Sequence, residues 1–353
     1  MNIYVMDPSF EVIGVIDDYT SVIWTTRYTT PGDFELYLAA DSKNIGLLAV
    51  NNYLVREQDF SNGQAANVMI IRNLQLTTDA ENGDNLIATG PDLKGILARR
   101  VINGQTLFSG KATACLRQLI ADHLVSPTDT NRAVLSFSIG ADAIQTEHSM
   151  QVQITGTNLA EAVAEICERF GYGYRVSING GFVFQIYEGV DRSLDQSANP
   201  HVIFSSEFDN LISSTYGVDS TDYATTAYVA GEGEGVDRKI VETGSASGLN
   251  RYEVWVDARN ASSNDGEITD ADYLAMLEQQ GAEEIAARAV TTSFEGEVDD
   301  TVNYTANVDY FLGDKVQIAN DYGITAAARI VELIEAEDET GVSIIPTFAE
   351  LEV

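Results

Sequence analysis

Apolar and polar side chains alternate through the first hundred residues, which is the period of β-strands that bury one face. Phe34, Leu36 and Leu38 lie on one side of such a strand. Further strands are expected at 52–57, at 68–77 and, after an acidic turn at 79–84, at 85–89. Short antiparallel strands at this spacing favour a small barrel or sandwich. We predict an N-terminal β-barrel over residues 1–105.

The apolar period lengthens to that of amphipathic helices in the middle of the chain. One helical face is formed by Leu116, Leu119, Ile120 and Leu124, and another by Leu159, Val163, Ile166, Cys167 and Phe170. Gly171 follows the second helix, at the position where a left-handed glycine commonly ends helices. The Asn-Gly-Gly run at 179–181 then predicts a hairpin. We therefore predict an α/β middle domain over residues 106–200.

Strand patterns return after residue 200 and are interrupted by one helix. Thr269, with Asp272 three residues later, resembles a capping box at the start of this helix. The apolar stripe continues through Tyr273, Met276, Leu277, Ile285 and Val290. The strands are expected at 303–311, 315–320, 328–335 and 341–348. We predict a C-terminal β-barrel over residues 201–353 with an inserted helix at 270–292.

The two ends of the chain show a similar succession of strands. Residues 32–36, 71–76 and 86–89 resemble 313–318, 330–335 and 343–347, and an acidic turn precedes the last segment in both. A duplication would give this succession, but so would any two antiparallel segments with alternating residues. The fold class that we predict is mainly β with an α+β insert, in which two related small β-barrels flank an α/β middle domain.

Acidic residues outnumber basic ones by 54 to 20, which gives a formal net charge of −34 at pH 7. This imbalance argues against a protein that grips nucleic acid, because such affinity comes from cationic side chains that release counterions. Hydrophobic residues make up 44% of the chain, so we expect folded domains and not an acidic disordered tail. The sequence shows no basic n-region and no apolar run of membrane-spanning length. We therefore expect no signal peptide, synthesis in the host cytoplasm and no membrane insertion.

Cysteine and histidine residues are too few and too scattered for a disulfide framework or a zinc site. Cys115 and Cys167 lie in helical patterns, where we expect buried free thiols. His123, His148 and His201 have no HExxH or related spacing. The sequence also lacks G-x-S-x-G, the nucleophile motif of many hydrolases.

Two acidic stretches resemble ligand-binding loops only superficially. Residues 260–272 lack the first and last carboxylate ligands of an EF-hand. The glutamates within GEGEG at 231–235 would repel a phosphate, so a loop between strands is the better interpretation. We assign no catalytic, cofactor-binding or metal-binding residue, expect no cofactor and predict that the protein is not an enzyme.

Four segments together resemble one protein family. They are residues 28–36 (YTTPGDFEL), 207–211 (EFDNL), 229–239 (VAGEGEGVDRK) and 309–316 (DYFLGDKV). In this order they make the chain similar to the siphophage tail-associated, or baseplate-hub, proteins, a family similar to the hub of contractile phage baseplates. The resemblance extends from about Tyr19 to Phe348.

The resemblance implies a homotrimeric ring at the distal end of the tail tube, in which six similar barrels match a six-fold tail. Its partners would be the distal tail protein, a spike or fibre-bearing receptor-binding protein and, as a further candidate, the tape measure protein. DNA would leave through the ring without stable binding. The negative charge suits such a conduit, because carboxylates repel phosphates. The protein would then be located in the virion, at the tail tip.

Two other function classes remain open. The 16 Tyr and 13 Phe residues are compatible with a carbohydrate-binding host-adhesion module of the tail, although most of them lie in predicted strands, where they would form core. An acidic cell-wall hydrolase that uses two carboxylates is the second alternative. Among 54 acidic residues, however, no single pair is distinguished.

Overall fold

The computed structural model describes residues 1–78, 83–263, 268–299 and 302–352. In this part of the chain, 24 β-strands and four α-helices are connected by turns, short 3-10 helices and one π-helical segment, Ala121–Val125. The fold is mainly β, as predicted. Within the same residues, no helix has the length and apolar character needed to cross a membrane.

The elements follow one another in three stretches of sequence. The first stretch contains β1 (Ile3–Met6), β2 (Val12–Ile16), β3 (Tyr19–Arg27), β4 (Asp33–Ala39), α1 (Ser42–Leu47), β5 (Tyr53–Arg56), β6 (Phe60–Ser61), β7 (Gln64–Ala65), β8 (Met69–Ile70), β9 (Asn73–Thr77) and β10 (Asn85–Pro91). The second contains β11 (Gln105–Lys111), α2 (Ala112–Ile120), β12 (Phe137–Ile139), β13 (Ser149–Thr155), α3 (Leu159–Phe170), β14 (Gly173–Asn179) and β15 (Phe182–Tyr187). The third contains β16 (Ile203–Ser205), β17 (Leu211–Asp219), β18 (Thr226–Ala230), β19 (Ile240–Thr243), β20 (Glu253–Asp257), α4 (Asp270–Ala287), β21 (Thr291–Val298), β22 (Lys315–Ala319), β23 (Thr325–Asp338) and β24 (Gly341–Glu352).

The largest sheet contains two four-stranded sets with the same topology. The N-terminal set has the order β3–β4–β10–β9, and the C-terminal set has the order β17–β21–β24–β23. We number the strands of each set in the order in which they occur along the chain. In both sets strand one then pairs with strand two, strand two with strand four, and strand four with strand three, always antiparallel. β23 also pairs with β3, so both ends of the chain form one continuous sheet. Residues 79–82, in the predicted acidic turn between β9 and β10, lie outside the described residues.

This repeat differs in one of three segments from the one that the sequence comparison predicts. The comparison equates residues 313–318 with 32–36, which contribute to β22 and β4 respectively. β22 pairs with β23, whereas β4 pairs with β3 and β10. The topological counterpart of β4 is β21, which residues 220–290 separate from β17. The other two predicted correspondences hold, since 71–76 and 330–335 contribute to β9 and β23, and 86–89 and 343–347 fall in β10 and β24, which occupy equivalent places in the two sets. The first correspondence is wrong because alternation of side chains does not specify which strand is the neighbour.

Each set packs against a second layer of strands. In the N-terminal half, the sheet β2–β1–β5–β8 covers the N-terminal set, with Trp24 and Leu36 buried between them. In the C-terminal half, β16, β22 and the first part of β23 cover the rest of the C-terminal set around Phe204, Phe294 and Phe348. The strand pairings of the described residues close neither half into a barrel, so the two closed barrels stay a prediction.

The second stretch forms an α/β unit, as its apolar period predicts. Its five-stranded sheet, β12–β15–β14–β7–β6, shares one hydrophobic core with α2, α3 and the β11–β13 pair. α3 ends at Gly171, whose φ of +67° is left-handed as expected. β14 and β15 form the predicted hairpin. β6 and β7 come from residues 60–65, so the first stretch completes the sheet of the second.

Residues 220–290 form an insert between β17 and β21. The insert's three-stranded sheet, β19–β18–β20, packs one face against α4 around Tyr273 and Leu277. Thr269 caps α4, because its hydroxyl accepts a hydrogen bond from the backbone N–H of Asp272 (3.2 Å). This contact confirms the predicted start of the helix.

Several predicted elements differ from the structure, and the single strand expected at 68–77 is divided into β8 and β9. α4 ends at Ala287 and not at residue 292, because β21 already begins at Thr291. The strand predicted at 303–311 is wrong, since residues 302–311 form turns and an isolated bridge. Asn303 and Asn307 have φ angles of +69° and +62°, and left-handed residues interrupt a strand.

Candidate functional site

One face of the eight strands from β17 to β9 turns away from the hydrophobic cores of both halves. Side chains alternate along a strand, so residues in register with Ile23, Glu35 and Glu332 share this surface, which we call the polar face. Its charged members with described side chains are Arg27, Asp33, Glu35, Asp219, Glu297, Glu332 and Asp338. Six carboxylates therefore accompany one guanidinium group.

The guanidinium group of the polar face connects the two four-stranded sets. Arg27 on β3 donates hydrogen bonds to Asp33 on β4 (Nη1 to Oδ2, 2.6 Å) and to Glu332 on β23 (Nε to Oε2, 2.5 Å). The side chains of Arg27 and Asp33 are 32% and 50% exposed, so water screens this pair. Since two carboxylates already occupy Arg27, the polar face presents negative charge to an approaching ion.

The junction of β23 and β3, which we call the seam, is buried on its core side. Trp24 and Leu333 are each 1% exposed. Arg56 lies below Trp24, with its guanidinium carbon 5.2 Å from the ring centroid, and forms ion pairs with Glu335 (2.7 Å) and Asp59 (2.6 Å). Burial alone would lower the pKa of Arg56, but the two carboxylates outweigh it and raise this pKa above its usual value.

The equivalent positions at the two outer edges of the sheet are open. Among the described residues, β9 pairs only with β10, and β17 pairs only with β21. β9 is the topological counterpart of β23, and β17 is the counterpart of β3. Each outer edge therefore presents one of the two strands that a seam requires, without the other. On the core side of these strands, Leu76 is 52% exposed, Tyr216 38% and Val218 57%. Exposed apolar side chains beside an unpaired strand edge are typical of an interaction surface.

Tyr28, directly after β3, connects all three stretches of the chain. Its hydroxyl donates a hydrogen bond to the carbonyl oxygen of Gly171 (3.0 Å) and accepts one from the backbone N–H of Gly189 (3.2 Å). The guanidinium carbon of Arg329, from the third stretch, lies 5.4 Å from the ring centroid. Burial raises the pKa of Tyr28 to about 12, so its hydroxyl stays protonated and keeps its donor role at neutral pH.

Two glycines make room for the ring of Tyr28. A Cβ atom at Gly173 would lie 2.1 Å from Cε2 of that ring, and a Cβ atom at Gly313 would lie 2.2 Å from the same atom. Gly313 also has a φ of +94°, which other residues adopt only with strain. Segments 28–36 and 309–316, which carry the family resemblance, therefore meet at this junction. Both segments contribute packing contacts around Tyr28.

A buried lysine fixes the loop that follows Tyr28. Lys94 is 5% exposed, and its Nζ donates hydrogen bonds to the carbonyl oxygens of Arg27, Tyr28 (3.3 Å) and Thr30 (3.2 Å). Burial lowers the pKa of Lys94 to about 8 and raises the pKa of nearby Asp92 to about 6. No sequence pattern predicts this pair, because only tertiary packing removes it from water.

The residues that we considered as candidate ligands or nucleophiles do not form a shared site. Cys115 and Cys167 are buried free thiols, as expected, and burial raises the pKa of Cys115 to about 11. His123, His148 and His201 lie in three separate segments. In the described part of the chain, no three His, Cys, Asp or Glu side chains are placed to hold a metal ion.

The glycine-rich segment 231–235 follows β18 as a loop, which confirms its interpretation. The backbone N–H of Glu232 donates a hydrogen bond to the hydroxyl of Tyr273 (2.8 Å). The carboxylate of Glu232 accepts one from the backbone N–H of Ser263 (3.0 Å) and pairs with Lys239 (3.1 Å). These contacts use the loop's polar groups internally.

Three solved structures of tail proteins are similar to this chain over almost its entire length. The tail protein from Neisseria meningitidis MC58 has a TM-score of 0.58 at 12% identity and covers 99% of this chain and 96% of its own. The 43 kDa tail protein of prophage MuSo2 from Shewanella oneidensis has a TM-score of 0.57 at 11% identity, covering 99% and 98%. Prophage tail protein gp18 from Listeria monocytogenes EGD-e has a TM-score of 0.52 at 12% identity, covering 99% and 94%. At such low identity the similarity shows the fold alone.

No curated protein matches the sequence at a significant level. A family model does match, over residues 2–348, and it describes the Siphovirus ReqiPepy6 Gp37-like proteins. This match confirms the resemblance to siphophage proteins that the four sequence segments indicate. The chain therefore belongs to the Siphovirus ReqiPepy6 Gp37-like protein family and has the mainly β fold of phage tail proteins.

Proposed function

We propose that the chain is a structural, non-enzymatic component of a siphophage tail, in which three copies form the baseplate-hub ring. The observation that carries this proposal is the repeated four-stranded topology with one complete seam and two open edges. A subunit that contains the same unit twice matches three copies to a six-fold tail.

The open edges support a head-to-tail contact between copies. β9 of one copy would pair with β17 of the next copy, as β23 pairs with β3 within the chain. Three copies of the eight strands in the main sheet would then give a closed sheet of 3 × 8 = 24 strands. Closure would satisfy the edge backbone groups and cover Leu76, Tyr216 and Val218, which are exposed in the single chain.

The polar face supports a role as a DNA passage. In the closed sheet this face would line the central hole, because the second strand layers lie on the other side of the sheet. Its carboxylates would repel the phosphates of a passing DNA, whereas a lining rich in Lys and Arg would bind them. This arrangement explains why so acidic a chain suits a protein that meets DNA without holding it.

The remaining assignments follow from the family membership and the resemblance. We propose the distal tail protein and a spike or fibre-bearing receptor-binding protein as partners, the tape measure protein as a further candidate, and the tail tip of the virion as the location. The fold of solved tail proteins supports these assignments at the level of architecture.

Native mass spectrometry tests the ring directly. The purified chain is measured alone and with the recombinant distal tail protein of the same phage, at neutral pH. We expect three chains per particle in at least one of the two conditions, and negative-stain images of that particle should show a central hole. A chain that stays monomeric or dimeric in both conditions contradicts the proposal.

A further inference from the structure

The insert carries two aromatic rings on the side of its sheet that faces away from α4. Tyr228 on β18 and Trp255 on β20 are directly paired in the register of these parallel strands, and we call them the aromatic platform. Trp255 is 56% exposed, whereas Trp24, the other tryptophan of the chain, is 1% exposed. A large aromatic side chain that stays exposed beside charged groups needs an explanation other than core packing.

One end of the aromatic platform is framed by an arginine with three side-chain partners. Arg251 donates hydrogen bonds to Glu253 (2.5 Å), Glu242 (3.0 Å) and the hydroxyl of Tyr228 (2.7 Å). The side chains of Glu242 and Glu253 are 47% and 51% exposed, so part of each carboxylate still faces water. These contacts hold the charged groups in fixed positions before a ligand arrives.

The other end of the platform is framed in the same way. Arg238 donates hydrogen bonds to Asp257 (2.6 Å) and to the carbonyl oxygen of Ala230 (2.7 Å), and its guanidinium carbon lies 5.9 Å from the ring centroid of Trp255. Arg259 also donates to Asp257 (2.9 Å). Hydrogen bonds from Arg259 and Arg238 lower the pKa of Asp257, which therefore remains an ionised acceptor.

The charge of this surface differs from that of the chain as a whole. Three guanidinium groups, from Arg238, Arg251 and Arg259, balance three carboxylates. The whole chain carries a formal charge of −34. The platform is therefore a locally neutral surface that offers fixed donors and acceptors on both sides of a flat apolar ring.

We propose that the aromatic platform binds a neutral oligosaccharide of the host cell surface. The C–H face of a pyranose ring would pack on Trp255, since aromatic rings bury flat apolar surfaces well. Sugar hydroxyls both donate and accept hydrogen bonds, so they match a frame of alternating guanidinium and carboxylate groups. The three guanidinium groups are already paired with three carboxylates, so they would give an anionic polymer no net electrostatic attraction. The acidic remainder of the chain would repel such a polymer.

The composition of the frame favours a sugar over a protein partner. The centres of protein interfaces are enriched in Trp, Tyr and Arg but depleted in Asp and Glu, so the three carboxylates that frame these rings, Glu242, Glu253 and Asp257, are the feature that favours a sugar. A small ligand with many hydroxyls can use each of them. The proposal concerns the insert and does not depend on ring formation.

Tryptophan fluorescence reports on this site, because only Trp255 of the two tryptophans is exposed. The full chain is titrated with maltohexaose, cellohexaose, laminarihexaose and mannohexaose while emission and iodide quenching are recorded. We expect at least one of these probes to shift the emission to shorter wavelength and to protect it from iodide. In the variants Trp255→Ala and Arg251→Met, binding of that probe measured by calorimetry should weaken at least tenfold.

Leu249→Ala provides the matched control, because Leu249 is 97% exposed on the same insert but lies outside the platform. This variant should bind the probe like the original chain. The proposal is overturned if none of the four hexasaccharides binds, or if Trp255→Ala binds as tightly as the original chain. It is also overturned if assembly without sugar already shields Trp255 from iodide, since the platform would then be a contact between copies.

Discussion

The seam and the open edges are two versions of one strand junction. At the seam, β23 pairs with β3, and the side chains on the core side are buried above the Arg56 ion pairs. At the edges, the counterpart strands β9 and β17 lack a second neighbour among the described residues, and Leu76, Tyr216 and Val218 on their core side are exposed. The difference shows that the chain completes the junction once internally and leaves both halves of a second junction unpaired within the described residues.

Breaking the ion pairs below the seam should have the largest effect on the fold. Arg56→Ala leaves the carboxylates of Glu335 and Asp59 without their buried partner, which should lower the free energy of unfolding by about 3–5 kcal/mol. Urea denaturation at equal chain concentration measures the loss. Lys43→Ala is the control, because Lys43 and Asp17 form an exposed pair at 3.7 Å whose removal should cost about 1 kcal/mol or less. Equal losses in both variants would show that the seam does not depend on Arg56.

Filling the space beside Tyr28 should have the next largest effect. Gly313→Ala places a methyl group against the Tyr28 ring at a position with φ of +94°, and should cost about 1–3 kcal/mol from crowding in addition to backbone strain. Gly323→Ala isolates the strain, since Gly323 has a φ of +81° and open space around it. Thermal unfolding of both variants separates the two contributions. If Gly313→Ala is no less stable than Gly323→Ala, the ring of Tyr28 is not confined as described.

The buried lysine near the seam should make stability depend on pH. The folded pKa of Lys94 is about 8, below its value in the unfolded chain, so between these values the unfolded chain binds more protons and stability rises with pH. Lys94→Met lacks this titration, while both proteins share the ionisation of Cys and Tyr residues. The free energy of unfolding of the original chain minus that of Lys94→Met should therefore increase by about 1–2 kcal/mol from pH 7.5 to 9.5. Urea titrations at the two pH values measure this change. A difference that stays constant or falls would contradict the lowered pKa.

Charging the open edges should have the smallest effect on the fold and a large effect on assembly. Leu76→Lys or Val218→Lys should change the free energy of unfolding of the single chain by only about 0.5 kcal/mol, because both positions are exposed. A lysine there would have to be desolvated between copies, so trimer formation should weaken by roughly tenfold or more. Sedimentation velocity measures assembly, and Leu249→Lys is the control. Unchanged trimers in both edge variants would exclude these strands from the interface.

Local elements were predictable from the sequence because each depends on neighbouring residues. The stripe from Leu159 to Phe170 with Gly171 behind it defines α3, and Thr269 with Asp272 defines the start of α4. The strand predicted at 303–311 fails because the left-handed Asn303 and Asn307 outweigh alternation. Local periodicity therefore predicts elements well until single residues override it.

The candidate site was not predictable in the same way, because it depends on which strands are neighbours. The carboxylates of Glu35 and Glu332 lie on one face only through the pairing of β23 with β3 and of β3 with β4. The exposure of Trp255 and the burial of Trp24 likewise follow from the layers around them. Sequence similarity identified the segments at Tyr28 and Gly313, but their contact is a tertiary fact.

The position of the insert has a consequence for how such a protein can change over evolution. Asp219, the last residue of β17, is paired with Thr291, the first residue of β21. The insert therefore leaves the sheet and returns to it at a single pair of neighbouring residues. In the N-terminal set, residues 28–32 make the counterpart connection. Inserts of different length and sequence can be accommodated between these two residues without changing the register of β17 and β21. Under the proposed sugar-binding role, the insert could therefore change with the host while the paired strands of the main sheet keep their register.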